Sequence, residues 1–275
     1  MSGQNKNYFK ITVLCDNETT SPDLEKEWGL SMSIQLPDKN FWLWDAGATD
    51  LFLRNAEKLN VVPEKAVGLA LSHGHWDHTG GMDALMDKGF IGPVYAHAEF
   101  ASKRYSEEDD GSCKDASFSC RYPGTIIVRD QVELDEGIYM ITSIKRRPGL
   151  FEATDGLFVD SEKNTVDTVP DDAFLLLDTP SGPVVILGCC HSGIANTLYH
   201  MQEVTGINKV HAILGGLHLY RSTEDQKLET AKVIEEFGTE LVSPGHCSGN
   251  AGYEYLKEKL SCKVIPMGSG SKYEF

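Results

Sequence analysis

A short run of histidine and aspartate residues carries the clearest chemical signal in the chain. Residues 72–81 read SHGHWDHTGG, so that His73, His75, Asp77 and His78 fall close together. Imidazole and carboxylate groups are ligands that zinc accepts in proteins, and manganese and iron bind them as well. Three histidines and one aspartate at this spacing therefore predict a metal site.

The spacing also suggests how these side chains divide between metals. In an extended backbone His73 and His75 point to the same side, so both can bind one ion. Asp77 and His78 follow where the chain turns towards a helix, and they can reach a second ion nearby. We therefore expect one or two divalent cations, with zinc favoured and manganese, iron or magnesium as further candidates.

Elements that alternate between strand and helix must position this run. Apolar stretches rich in valine, isoleucine and leucine predict strands at Phe9–Cys15, Leu30–Leu36, Phe41–Asp45, Ala66–Ser72, Pro93–Ala96, Thr125–Val128, Ile138–Ile144, Ala173–Leu177, Val184–Leu187, Val210–Leu214 and Glu240–Val242. Helical periodicity predicts helices at 49–60, 194–205, 224–237 and 251–260. Thr223 and Gln226 form a capping-box pattern before the third of these. The alternation indicates an α/β protein.

Two stretches break this pattern. Residues 104–124 are acidic and poor in aliphatic side chains, and residues 146–172 are rich in glycine and proline. We interpret the first as a solvated excursion or lid and the second as an irregular loop, which in a compact domain is often functional. Neither looks like a linker, so a single domain over residues 1–275 is expected.

The motifs resemble those of the metallo-β-lactamase superfamily, in which His-x-His-x-Asp-His follows a strand. Asp45 lies where that family has an aspartate that supports the ligand loop from behind the metal. His246, in Pro-Gly-His-Cys, lies where the last metal-binding histidine falls. The resemblance covers about residues 9–267 and implies an αββα four-layer sandwich with a metal site at one edge.

A narrower resemblance concerns one subgroup of that superfamily. It is carried by the segments 14–17, 27–31, 188–193, 215–219 and 246–249, which read LCDN, EWGLS, GCCHSG, GGLHL and HCSG. Members of the subgroup are described as 7,8-dihydropterin-6-yl-methyl-4-(β-D-ribofuranosyl)aminobenzene 5′-phosphate synthases or as uncharacterised metal-dependent hydrolases. This narrower resemblance implies the same fold, but it does not fix the reaction, because one fold hosts many chemistries.

The chain departs from the superfamily pattern at two positions. No histidine occurs between His97 and His191, where the third ligand of the first metal is usual, so His191 is the best replacement. Cys189 stands where an aspartate commonly bridges the two metals. Its thiolate is a candidate zinc ligand, and an inert buried thiol is the alternative. The expected sets are then His73, His75 and His191 for one ion, with Asp77, His78 and His246 for the other.

A few further residues are candidates for contacts with substrate. His218 follows an apolar strand and is expected to protonate the leaving group or to contact developing charge. Arg146 and Arg147 are candidates to grip an anionic group through forked hydrogen bonds, with a surface role as the alternative. Trp76 lies between ligands and is expected to line the pocket, whereas Trp28 is expected to pack structurally.

These residues favour metal-dependent hydrolysis of a small ester or phosphoester, with Asp77 orienting the attacking water. A transferase of the dihydropterin type is the alternative, in which an aromatic carbon attacks and diphosphate leaves. A non-catalytic metal-binding or redox-sensing protein is the second alternative. Diphosphate release that depends on the acceptor would identify the transferase. Bound metal without any turnover would identify the sensor.

Composition limits the partners. The formal net charge of −16 disfavours general nucleic-acid binding, because phosphate backbones are repelled. No apolar run approaches the roughly 20 residues that a membrane-spanning helix needs, and the seven cysteines do not form a secreted disulfide pattern. We expect a cytoplasmic protein that acts on a small, anionic molecule, with neither nucleic acid nor membrane as partner. The sequence assigns no oligomeric state.

Overall fold

Two mixed β-sheets form the centre of the fold. The computed structural model describes residues 8–121 and 124–275. Residues 1–7 of the expected domain, and residues 122–123 of the expected excursion, therefore lie outside the described part. In spatial order the first sheet contains β17 (Lys272–Glu274), β1 (Lys10–Cys15), β2 (Ser31–Gln35), β3 (Phe41–Trp44), β4 (Gly68–Ala70), β5 (Val94–His97) and β8 (Thr125–Val128).

The second sheet has the same number of strands as the first. Its spatial order is β16 (Lys263–Val264), β15 (Leu241–Gly245), β14 (Ala212–Gly216), β13 (Val184–Leu187), β12 (Phe174–Leu177), β10 (Ile138–Ile141) and β9 (Gln131–Asp135). Strands β13 to β16 run parallel to one another. Their carboxyl ends therefore meet at one edge of the sheet, where ligands bind in open α/β folds.

Helices cover the outer faces of the two sheets. They are α1 (Leu51–Lys58), α2 (Trp76–Thr79), α3 (Met82–Asp87), α4 (Ile194–Thr205), α5 (Glu224–Glu236) and α6 (Gly249–Lys259), with 3-10 turns at Pro63–Lys65, Ala98–Ala101 and His246–Ser248. The predicted helices correspond to α1, α4, α5 and α6. The predicted capping box is also present. The Thr223 hydroxyl accepts a hydrogen bond from the Gln226 backbone N–H, and the Gln226 side-chain oxygen accepts one from the Thr223 backbone N–H.

Three apolar clusters separate these layers. One lies between the sheets, one between the first sheet and helices α1 and α3, and one between the second sheet and helices α4 to α6. Trp44 crosses the central layer, and its buried indole N–H donates to the Leu187 carbonyl of the other sheet at 3.2 Å. The order helix, sheet, sheet, helix confirms the expected αββα sandwich.

The two stretches expected to be irregular instead pair with each other. Strands β6 (Tyr105–Glu107), β7 (Cys113–Asp115) and β11 (Leu157–Phe158) form a third, small sheet, here called the lid sheet. At its base Arg104 is buried, with its guanidinium 3.1 Å from an Asp167 oxygen and 2.6 Å from an Asp171 oxygen. Most described residues of the stretch 104–124 are exposed or half-buried, as expected of a solvated excursion or lid. Its strand pairing was not predicted, because pairing between distant short strands leaves no local periodicity to read.

Candidate metal centre

The run from His73 to His78 follows the end of strand β4. The chain leaves the sheet there, and Asp77 and His78 enter the short helix α2. Gly74 lies against the 3-10 turn Ala98–Ala101, so that an added Cβ would stand 1.6 Å from the Phe100 carbonyl oxygen. Only glycine fits at this point, and the close approach keeps His73 and His75 directed to one place.

The first donor set consists of His73, His75 and His191, whose nearest ring nitrogens all lie within 4.8 Å of one another. His73 Nε2 is 2.9 Å from His75 Nδ1. His191 Nδ1 lies 2.8 Å from the Ala153 carbonyl oxygen, so this nitrogen donates and Nε2 keeps its lone pair. Among the described residues, the buried His191 Nε2 and His75 Nε2 have no hydrogen-bond partner. The lone pair of His191 Nε2, buried without a donor beside the rings of His73 and His75, fits a cation.

The second donor set consists of Asp77, His78, His246 and Cys189. His78 Nε2 lies 3.1 Å from both His246 Nε2 and Cys189 Sγ. An Asp77 carboxylate oxygen lies 3.4 Å from His246 Nε2. The structure therefore places Cys189 among the donors rather than in the surrounding core, which favours the ligand interpretation over that of an inert thiol.

Polar groups behind the donors fix their orientation. Asp45 is fully buried; one of its oxygens lies 2.7 Å from His78 Nδ1, and the other accepts the Ser72 backbone N–H at 2.7 Å. This is the supporting position expected for Asp45. His246 Nδ1 lies 2.9 Å from Asn17 Oδ1, so its Nε2 also faces the donor set. Such partners set the tautomer of a ligating histidine.

Burial sets the charge state of these groups. Burial lowers the pKa of His73 and His191 well below the ordinary value, and it lowers the pKa of His75 to about 3. Burial alone would also lower the pKa of His78, but the carboxylates of Asp77 and Asp45 outweigh it and raise that pKa. The first donor set is therefore neutral at pH 7, as imidazole must be to bind a metal.

A cavity of about 460 Å³ opens above both donor sets. Aromatic side chains form part of its wall, namely Trp28, Trp76 and Tyr220. Trp28 packs against Tyr220, with ring centres 5.5 Å apart, and is also 45% exposed, so it is available to a ligand as well. Charged side chains of both signs also line the cavity, namely Lys114, Arg221, Glu107, Glu108 and Asp109. Arg221 is paired with Asp109 at 2.6 Å. Lys114 Nζ lies 4.5 Å from the centre of the Trp76 ring.

The expected anion-binding pair lies elsewhere. Neither Arg146 nor Arg147 lines the cavity. Arg146 donates to the Thr168 carbonyl at 3.0 Å, and Arg147 pairs with Glu203 at 2.8 Å. The expectation that the two arginines face substrate is thus corrected, because local carbonyl and carboxylate groups engage both guanidinium groups.

Sequence reasoning missed several supporting groups. Asn17 belongs to a segment that resembled the dihydropterin subgroup, and that resemblance was its only signal. Asp172 lies in the stretch expected to be irregular, and one of its oxygens accepts the Ser192 backbone N–H at 2.7 Å, next to His191. Two adjacent acids directly before a buried strand were the available signal. Their partners are far away in sequence, so spacing alone does not reveal them.

His218 stands half-buried at the cavity wall, with its ring centre 4.6 Å from that of His191. Burial and the neighbouring His246 lower the pKa of His218 to about 4. The imidazole is therefore neutral at pH 7. It can contact developing negative charge as a hydrogen-bond donor, whereas the protonated form would be scarce.

Sequence comparison finds relatives of similar length. A family model described as Metallo-beta-lactamase superfamily matches residues 30–246. A Methanocaldococcus jannaschii protein named 7,8-dihydropterin-6-methyl-4-(beta-D-ribofuranosyl)-aminobenzene-5'-phosphate synthase is 29% identical over 263 residues, which cover 90% of each chain. An uncharacterised protein of the same organism is 27% identical over 247 residues, covering 87% of this chain and 90% of the other.

Solved structures agree with this grouping. The crystal structure of a protein described as a metal-dependent hydrolase of the beta-lactamase superfamily has a TM-score of 0.82 and 27% identity, covering 97% of this chain and 99% of the other. A metallo-beta-lactamase fold protein from Bacillus subtilis has a TM-score of 0.62 and 14% identity, covering 98% and 100%. The second likeness concerns the fold alone.

Proposed function

We propose that this chain, which belongs to the metallo-beta-lactamase superfamily, is a metal-dependent enzyme that hydrolyses a small anionic ester or phosphoester. One observation carries the proposal. Two sets of buried donors lie at the floor of a cavity whose wall carries aromatic side chains and both basic and acidic ones. A structural metal site is usually closed, whereas donors that face an open cavity leave room for a substrate.

The residues fit one or two divalent cations. His73, His75 and His191 would hold the first, and Asp77, His78 and His246 would hold the second, with Cys189 as an additional donor to the second. Nitrogen, oxygen and sulfur donors together favour zinc, while manganese, iron and magnesium stay as candidates. A cation bound here supplies Lewis-acid polarisation of a carbonyl or phosphoryl oxygen and lowers the pKa of water.

The side chains of this protein then position the reacting groups. Asp77 orients the attacking water, since its carboxylate lines the cavity floor. His218 contacts the charge that develops on the substrate and donates a hydrogen bond from its neutral ring. Trp28 and Trp76 enclose the substrate, and Lys114 attracts its anionic group, whereas Arg221 is already paired with Asp109. Hydrolysis adds water across the ester bond and releases an acid and an alcohol.

A transferase that uses a dihydropterin is the second candidate. The relative that carries a synthase name supports it, because the similarity extends over 90% of both chains. The aromatic cavity wall also suits a flat heterocycle, which stacks well on indole rings. In this reaction an aromatic carbon of the acceptor forms the new bond and diphosphate leaves, so no attacking water is required.

One assay separates the candidates. The purified protein is supplied with zinc, manganese or magnesium and incubated with aryl phosphomonoesters, phosphodiesters and carboxylic esters. A parallel reaction contains dihydropterin methyl diphosphate with and without an aminobenzene ribofuranoside phosphate. Ester cleavage that needs metal supports the hydrolase, and acceptor-dependent diphosphate release supports the transferase. Bound metal with no turnover in either reaction would contradict both and favour a sensing role.

A further inference from the structure

Three donor side chains lie side by side at the edge of the second sheet, outside the first donor set. Each side chain follows the end of a strand by two residues. Cys189 follows β13, His218 follows β14 and Cys247 follows β15. These strands are parallel neighbours. The fold therefore brings two sulfurs and an imidazole nitrogen within 4.8 Å of one another.

The local backbone makes room for the second sulfur. A Cβ at Gly216 would stand 2.6 Å from Cys247 Sγ, so a larger residue at Gly216 would displace the thiol. Cys247 Sγ lies 3.5 Å from the Cys189 carbonyl oxygen, and the Cys247 side chain is buried. Both thiols nevertheless line the cavity together with His218, so a cation that enters from solvent can reach them.

We propose that Cys189, His218 and Cys247 form a third cation site, selective for a thiophilic ion such as Zn²⁺ or Cd²⁺. Two thiolates and one imidazole are a donor set that such ions prefer over the oxygen ligands of magnesium or manganese. Binding forms two metal–sulfur bonds and one metal–nitrogen bond, and it releases the two thiol protons to solvent. Cys189 belongs to the second donor set as well, so its sulfur would bridge the two ions.

This site goes beyond the proposed hydrolytic function, and its test does not depend on turnover. Cadmium is added to reduced, metal-free protein in the absence of oxygen. Thiolate-to-cadmium absorbance in the ultraviolet reports sulfur ligands, and equilibrium dialysis reports the bound equivalents. The variant Cys247→Ser removes one sulfur from the third site and none from the other two donor sets.

The chain supplies a matched control. Cys190 is adjacent to Cys189 and equally buried, but its sulfur lies 3.5 Å from Thr197 Oγ1 and packs in the outer cluster beneath helix α4. We expect Cys190→Ser to keep the absorbance and the stoichiometry of the parent protein. We expect Cys247→Ser to lose one equivalent of cadmium and roughly half of the absorbance contributed by the two site thiolates, since one of them is gone. The half-buried thiols of the chain are common to all three proteins and cancel in the comparison.

His218→Gln provides a second test that leaves both buried thiols in place. We expect it to weaken the last cadmium equivalent while circular dichroism stays that of the parent. Equal stoichiometry and equal absorbance in the parent, Cys247→Ser and His218→Gln would overturn the proposal. In that case Cys189 would bind only within the second donor set, and the proposed hydrolytic function would stand unaffected.

Discussion

The Asp171 carboxylate accepts a hydrogen bond from the backbone N–H of Gly74, with Oδ2 and N 2.7 Å apart. Gly74 lies between His73 and His75, and the other oxygen of Asp171 is paired with the buried Arg104. A charged pair at the base of the lid sheet therefore holds the backbone of the first donor set. This link connects the cavity wall to the orientation of two candidate ligands.

The Asp171 link predicts a loss of metal affinity when it is broken. In Asp171→Asn one oxygen must serve two donors, so either Gly74 or Arg104 loses its partner. We expect zinc affinity to fall about 10- to 100-fold, as for other partners that support metal ligands. Competition with a chromophoric chelator measures this. Asp87→Asn, which alters an exposed ion pair with Arg121, should leave the affinity unchanged. Equal affinities in both variants would show that the link is not needed.

Asp77 predicts a separation between activity and folding. Its carboxylate faces His78 and His246, and it is the one carboxylate in either donor set. We expect Asp77→Ala to abolish turnover while the circular dichroism spectrum and the cooperative unfolding transition persist. Asp83→Ala, a change on the neighbouring helix α3, is the control and should remain active. Full activity of Asp77→Ala would refute the assigned role.

The cavity cations predict which basic residues bind substrate. Lys114 lines the cavity, whereas Arg147 is engaged by Glu203. For an anionic substrate we expect Lys114→Met to raise KM about tenfold with kcat little changed, because a hydrogen bond to a charged group contributes about 1.5 kcal/mol. Arg147→Met should leave both constants near those of the parent. The reverse pattern would restore the arginine pair as the anion site.

Metal removal predicts a loss of stability. Only the folded chain brings the buried imidazoles together. A cation that binds them therefore stabilises the folded state, and its removal lowers the free energy of unfolding. At a metal concentration 100 times Kd, we expect binding to add about 2.7 kcal/mol to the free energy of unfolding. Urea denaturation before and after dialysis against a chelator measures the difference. Identical midpoints in the two samples would argue against a tight site.

The capping box of helix α5 predicts an effect on stability alone. Thr223 Oγ1 accepts the Gln226 backbone N–H at 3.3 Å, and Thr223 is in neither donor set. We expect Thr223→Ala to lower the free energy of unfolding by about 0.5–2 kcal/mol, and Thr223→Ser to retain most of it because the hydroxyl remains. Zinc stoichiometry should be the same in all three proteins. A change in stoichiometry would mean that the helix terminus communicates with the site.

Local spacing was sufficient for part of the molecule. The alternation of His73 and His75, and the turn that follows at Asp77, are properties of neighbouring residues in one segment. Apolar runs likewise predicted the main strands, because a buried strand shows its environment in its own composition. Strands β6, β7, β9, β11, β16 and β17 and helix α3 were missed, since most of them are short, and α2 was anticipated only as a turn towards a helix.

Only the tertiary structure decided how distant segments share the centre. His78 and His246 are 168 positions apart, yet their Nε2 atoms lie 3.1 Å from each other. The packing of the two sheets produces this approach, since His78 follows β4 of the first sheet and His246 follows β15 of the second, and no local pattern encodes it. The same reason explains the corrected role of Arg146 and Arg147. A guanidinium group looks alike in sequence whether it faces substrate or a nearby carboxylate, and folding alone chooses its partner.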